Sequence, residues 1–361
     1  LEKNSITSWL DGKNKVVFLG EVCSSCRPPL FSSVRIFREA WRGFEMHRFI
    51  KRPEAGALFS FIVVVAVFTV LSGGKFLRVG NIASILAMLA ERGLAVIGIT
   101  LLMISGEIDL SISSVYGSSA LFFVVLSEQL PPLTAFLLVV LFAAMVGLLN
   151  GTVTTKFEVP SIIVTLGTMF FLRGVIYFTT KGFTRSFRSQ DYFIHLLSGR
   201  IGGSDFRFSI FWLIVATLLF FTLLEHHPYG NHVLATGSNR EVARVMGVKV
   251  DRVRMINFLI CSIMASLGGM LSAARFGTVA ATHGEGIELE TIASAVIGGT
   301  LLSGGYGSIQ GSLIGALLVS SLRSGLLLSG APAYWYIAFM GVILVVAAVI
   351  NMGLVRKVLV R

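Results

Sequence analysis

Charge is what this 361-residue chain has least of: 14% of its residues are Asp, Glu, Lys or Arg, against 54% hydrophobic, and mean hydropathy is +0.82. So little polar surface cannot cover a soluble globule, and that class is excluded. Acids are the scarcer sign, 19 against 30 bases, and the resulting net charge of +11 raises the question of nucleic acid. The bases flank apolar runs instead of lining one face, which is the signature of membrane orientation, so no nucleic acid partner is expected. Cysteine is sparse too. Cys23 and Cys26 form a lone C-x-x-C and Cys261 lies in an apolar run, too few ligands for a structural zinc site. His226, His227 and His232 do not share a helix face and are interrupted by Pro228, so no metal is expected there either. No G-x-x-x-x-G-K-[ST], H-E-x-x-H or serine nucleophile elbow occurs, and the chain is not expected to be an enzyme.

What it has in abundance is long apolar runs. They lie at about 56–71, 82–104, 111–127, 133–154, 161–180, 208–225, 254–275, 288–302, 307–329 and 334–351. Most have about the length a helix needs to cross hydrocarbon. Backbone groups in lipid must be satisfied internally and no barrel-like alternation is present, so the expected fold is an all-α polytopic membrane protein of about ten transmembrane segments, some broken or re-entrant. Residues 1–55 read as a basic N-terminal segment, 56–352 as the membrane domain and 353–361 as a basic tail; the bases at 35–52 and 356–361 place both termini in the cytoplasm. The run Val16–Gly20 is too short for a signal-peptide core. Two basic loops, 181–207 and 226–254, are separated by one run and must lie on opposite sides; the termini favour the later one as cytoplasmic. Ala95–Leu102 recurs as Ala295–Leu302 with seven of eight positions shared, each copy leading to Ser-Gly, which raises the possibility of an internal repeat.

Three stretches interrupt the apolar pattern. In Gly230–Arg254, Ser238 and Glu241 fit a capping box; Val242, Val245 and Met246 share a helical face and Gly247 ends the helix. Three aliphatic side chains cannot form a core, so that face must rest on its own protein, the lipid interface or a partner. The second stretch, Gly106, Glu107, Asp109 and Ser111, puts two acids at a junction of apolar runs. Acids at such a place are functional suspects, although a cap on a helix starting at Leu110 is the simpler role for Asp109. The third, with Gly298, Gly299, Thr300, Gly304 and Gly305, suits close helix approach or a broken helix.

These stretches carry a resemblance. Gly106-Glu-Ile-Asp-Leu-Ser111, departing at Glu107 and Ser113 where glycine is usual, is similar to the G-G-I-D-L-S-V-G signature of permease subunits of ribose-type ABC importers, which are related to the branched-chain amino acid permeases. Pro160–Thr168, with Thr165, Gly167 and Thr168, resembles the P-x-F-I-V-T-L-G-T segment of that family, and these three residues are expected, with Gly106, Glu107, Asp109, Ser111, Gly298, Gly299, Thr300, Gly304 and Gly305, to line the translocation path or gate. Gly237, Asn239, Ala243 and Gly247 match its cytoplasmic loop, with Arg244 in place of an alanine, and Glu288–Gly307 matches its glycine-rich block. The resemblance covers roughly 56–352 and implies a bacterial inner-membrane permease for a small sugar, a pentose or related monosaccharide. It implies a second permease subunit (homodimer or paralogous heterodimer), two cytoplasmic ATPase subunits gripping the loop helix, and an extracytoplasmic substrate-binding protein. ATP and Mg would then sit on the partner ATPase, with no cofactor in this chain. Alternatives are branched-chain amino acid or nucleoside cargo, or an ion-driven secondary transporter.

Overall fold

In a computed structural model, the described residues are 53–187, 191–332, 335–343, 345, 346 and 349. The tail at 353–361, Cys23, Cys26 and almost all of the basic segment 1–55 lie outside them.

The described chain is α-helical: α1 Pro53–Leu71, α2 Val79–Ile104, α3 Ile112–Ser127, α4 Pro132–Lys156, α5 Ser161–Thr180, α6 Tyr192–Ser198, α7 Phe208–Glu225, α8 Pro228–Ser238, α9 Arg240–Val245, α10 Val250–Phe276, α11 Ile287–Ile297 and α12 Ile309–Leu328. Residues 335–343 are helical as well. Pro132 and Pro228 stand in the first turns of α4 and α8, where a missing N–H costs nothing. Two-residue strands β1 Arg185–Ser186 and β2 Thr278–Val279 pair antiparallel.

Six helices, α2, α4, α5, α7, α10 and α12, are long and apolar enough to cross a membrane, and two shorter apolar helices, Gly56–Leu71 and Ile112–Ser127, accompany them. The ten crossings expected from the sequence are not all supported. The run at 288–302 yields an eleven-residue helix that ends at Gly298, and the run at 334–351 is only partly described. The repeat is not supported either: 95–102 is helical throughout, whereas 295–302 leaves its helix after Ile297. Only the glycines that follow agree, Gly106 at φ +81° and Gly304 at φ +83°.

Helix α10 is the hub, packed on α2, α3 and α4. Its buried face is rich in small residues, with Cys261, Ser262, Ala265, Ser266, Gly268, Gly269, Ser272 and Ala273. In lipid, helix association depends on close van der Waals approach, which such residues permit. At Gly147 of α4, an added Cβ would sit 2.8 Å from the α10 backbone at Leu259. The outward faces of α4, α5 and α7 are apolar, with Leu137, Leu141, Met145, Phe170, Phe171, Phe178, Leu218 and Leu219 exposed, as a lipid-facing or subunit-facing surface requires.

Contacts sort the connections into two ends. At one, Gly305 N donates to the Ile104 carbonyl at 2.8 Å and Arg254 of α10 reaches Glu107. At the other, Phe187 N donates to the Gly277 carbonyl at 3.1 Å, just past the far end of α10. The basic loops 181–207 and 226–254 therefore lie at opposite ends, as the run between them demands.

A polar joint at the helix break

Helix α2 stops at Ile104, and Gly106 turns the chain in the left-handed region. Residues 105–111 then form a non-helical break before α3. Glu107 in this break is 4% exposed. Its Oε1 accepts from Arg240 Nη2 at 2.7 Å, from Arg254 Nη2 at 2.6 Å and from Arg254 Nε at 2.7 Å. Arg240 Nη2 also donates to the Gly106 carbonyl at 2.9 Å. An unpaired carboxylate so deep would be several kcal/mol too costly to keep; two guanidinium groups make the site tenable.

Asp109 is fully buried and does not cap α3, which begins two residues later than the sequence suggests. Its Oδ1 accepts from Ser111 N at 2.8 Å and from Ser111 Oγ at 2.6 Å, closing a turn within the break. Ser111 Oγ in turn accepts from Asn150 Nδ2 of α4 at 2.9 Å, and Asn150 Oδ1 accepts from Thr168 of α5 at 2.6 Å. The carboxylate is thus anchored to two further helices, and burial within protein replaces the wet interface that a cap would have needed. Thr165 bonds back to the Ser161 carbonyl, and nothing lies within 4 Å of where a Cβ on Gly167 would be, so these two residues are outside the network.

The glycine-rich segment meets the same joint. Gly237, the penultimate residue of α8, abuts the end of α2 so closely that a Cβ there would fall on the Ile104 carbonyl and 2.5 Å from Gly305 N. Gly304 and Gly305 both have positive φ; a Cβ on Gly304 would meet Gly106 Cα at 2.8 Å, and one on Gly305 would meet Ser238 Oγ at 2.6 Å. Further along, Gly299 is also left-handed, Gly298 lies against Gly311 of α12, and Thr300 Oγ1 lies 3.1 Å from Ser312 Oγ. Both helix breaks and the loop helices thus touch backbone to backbone.

Above this contact stands α9. Its cap is Asn239, not Ser238: Asn239 Oδ1 accepts from Glu241 N at 3.0 Å and Val242 N at 3.1 Å, while Ser238 Oγ donates back to the Leu234 carbonyl at 2.9 Å. The capping box fails because 228–238 is already helical, which leaves Ser238 at a C-terminus. Gly247 does end the helix, at φ +87°, with Val248 N bonding the Ala243 carbonyl. Ala243 faces inward and is buried. Val242, Val245 and Met246 are 57%, 86% and 78% exposed, so their face does not rest on any of the described residues.

A second cluster sits at the opposite end. Arg92 pairs with Glu290 at 2.6 Å and Arg275 with Glu91 at 3.1 Å. Nearby, His283 stacks on Tyr116, with ring centroids 5.5 Å apart, and its carbonyl accepts from Arg173 at 3.0 Å. His283 precedes α11, outside the spanning helices, and its pKa is pushed down to about 4 by burial and then by the Arg92 and Arg173 charges. Sequence reasoning credited only Glu107 and Asp109 as membrane-depth acids. It missed Glu91, Arg92, Arg275, Asn150, Arg240 and Arg254; Glu91, Arg92 and Arg275 stand as charges within apolar runs, which was the available signal, whereas nothing local marks the pairing partners.

Comparison with known proteins decides the family. Residues 81–348 match the family described as branched-chain amino acid transport system / permease component. The chain belongs to this permease family. The permease is similar to the xylose/arabinose import permease protein XylH of Sulfolobus acidocaldarius, at 34% identity over 81% of this chain and 83% of that one. It is similar to the ribose import permease protein RbsC of Escherichia coli K12, at 30% identity over 89% and 97%, and to the fructose import permease protein FruG of Bifidobacterium longum, at 29% over 86% and 93%. No solved structure matches the permease. It is a multi-pass membrane protein, and nucleotide hydrolysis in such importers belongs to other subunits.

Proposed function

We propose that this permease forms the translocation path of an ATP-driven importer for a small sugar, a pentose or related monosaccharide. A separate ATPase pair docks on α9 from the cytoplasm, a binding protein delivers sugar at the end that carries 181–207, and a second permease subunit completes the path. The observation that carries this reading is the apolar face of α9, uncovered by the described residues while its base is pinned to both helix breaks. A short helix displaying three aliphatic side chains beside Arg244 and Arg252 has the form of a segment that lies in a partner's groove. The sugar assignment is supported by the relatives named for xylose, arabinose, ribose and fructose. Both breaks, with Gly106, Asp109, Ser111 and Thr300, border the path, and ten crossings with both termini inside would complete the topology.

The test is docking. Val245→Glu places a charge on a side chain that is 86% exposed, so folding should be unaffected while a partner's apolar groove is blocked. Co-purification of the ATPase chain should be lost from the variant and kept in wild type. Equal co-purification would reject α9 as the docking helix.

A further inference from the structure

Two acids, separated by one residue, tie the break at 105–111 to two different sets of helices. Glu107 is held by Arg240 of α9 and Arg254 of α10; Asp109 is held through Ser111 to Asn150 of α4 and from there to Thr168 of α5. Three residues can span only about 10 Å, so the two anchorages are close and the segment between them has little slack. Arg240 opens α9, two residues before the uncovered Val242. Asp251 pairs with Arg244 at 2.9 Å and with Arg254 at 3.6 Å, which joins α9 to α10 beside the same carboxylate.

The break is reached by a steric contact from α8 and by polar ties, Arg240 to Glu107 and to the Gly106 carbonyl and Arg254 to Glu107, which differ mechanically. The close contact at Gly237 resists compression only: pulled apart, it offers nothing but lost van der Waals attraction. The Glu107 ion pair resists separation, because parting it would leave charge buried without a partner. We propose that Glu107 is the positioning residue that transmits a pull on α9 to the helix break, with Arg240 and Arg254 as its grips. The inference rests on α9 being the ATPase-docking helix. Push travels through Gly237, pull travels through Glu107, and both strokes of a cycle therefore reach residues 105–111.

The readout is sugar moved per ATP hydrolysed, in proteoliposomes holding the permease, its ATPase chain and its binding protein. Glu107→Gln keeps the shape and removes the charge, and it should lower this ratio about tenfold in complexes that still contain the ATPase. Arg240→Gln removes a grip that is 41% exposed and leaves Arg254 on Glu107, so it should assemble and lower the ratio about threefold. It carries the test by itself if Glu107→Gln does not assemble. The combined loss in the double variant should fall short of the product of the two single losses, since Arg240 grips Glu107 as well as the Gly106 carbonyl. An unchanged ratio in an assembled single variant, or losses that multiply in the double variant, overturns the inference. A wild-type complex that moves no sugar with ATP gives a different result, which sinks the importer reading and this inference together.

Discussion

At Gly237 the chain has no room for one methyl group, because the Ile104 carbonyl and the Gly305 amide occupy the place where a Cβ would go. Gly237→Ala must push α8 away from both breaks, at a cost of about 1–3 kcal/mol, and should lower the unfolding midpoint of the detergent-solubilised protein by a few degrees. An unchanged midpoint would mean that the three segments are not in backbone contact. His283 makes a prediction with a sign. Its pKa lies at about 4 in the folded protein and near 6.5 when unfolded, so the unfolded chain binds the extra proton between those values. The stability from keeping this ring neutral is present in full above pH 6.5 and is lost as pH falls to about 4. The pH slope of the unfolding midpoint in that window should flatten in His283→Phe, which keeps the stack on Tyr116; an identical slope would contradict the assignment. Glu107 could be picked out in the sequence as an acid beside a glycine at the end of an apolar run. Its partners could not, since Arg240 and Arg254 are 133 and 147 residues away and nothing local marks them.

Helix α9 was legible as an element and mis-read at its start. The spacing of Val242, Val245 and Met246 and the stop at Gly247 both stand, because helical period and positive φ are local properties. The cap moved by one residue because 228–238 is itself a helix, nucleated by Pro228 and the His227 ring, whose Nδ1 accepts from Tyr229 N at 3.1 Å. A serine at the end of one helix bonds backward, leaving its neighbour to open the next. Asn239→Ala should therefore destabilise α9 by about 1 kcal/mol and speed amide exchange at Glu241 and Val242, while Ser238→Ala should leave those amides unchanged. Faster exchange in the serine variant alone would restore the capping box. Asp109 illustrates the same limit from the other direction: a good cap sequence was overridden by α4 and α5, whose Asn150 and Thr168 draw Ser111 into the interior.

For the molecule as a whole, hydropathy made the fold class plain and left the count of crossings open, because a broken helix spends its apolar residues without spanning. Small residues on α10 let α2, α3 and α4 gather round one hub, and the two ends of that bundle carry different polar clusters. Arg92–Glu290 and Arg275–Glu91 brace one end; Glu107 with Arg240 and Arg254 links the break at 105–111 to α9 and α10 at the other. Motion imposed at α9 thus has an ionic route to the break at 105–111 and a steric one, through Ser238 and Gly305, to the glycine-rich break. The most direct measurement is uptake of labelled pentose into proteoliposomes containing this permease and its binding protein, with and without the ATPase chain and ATP. The account predicts uptake only when ATPase and ATP are both present, on the side that α9 faces. Uptake that continues without the ATPase chain, and stops when an ion gradient is dissipated, would contradict it.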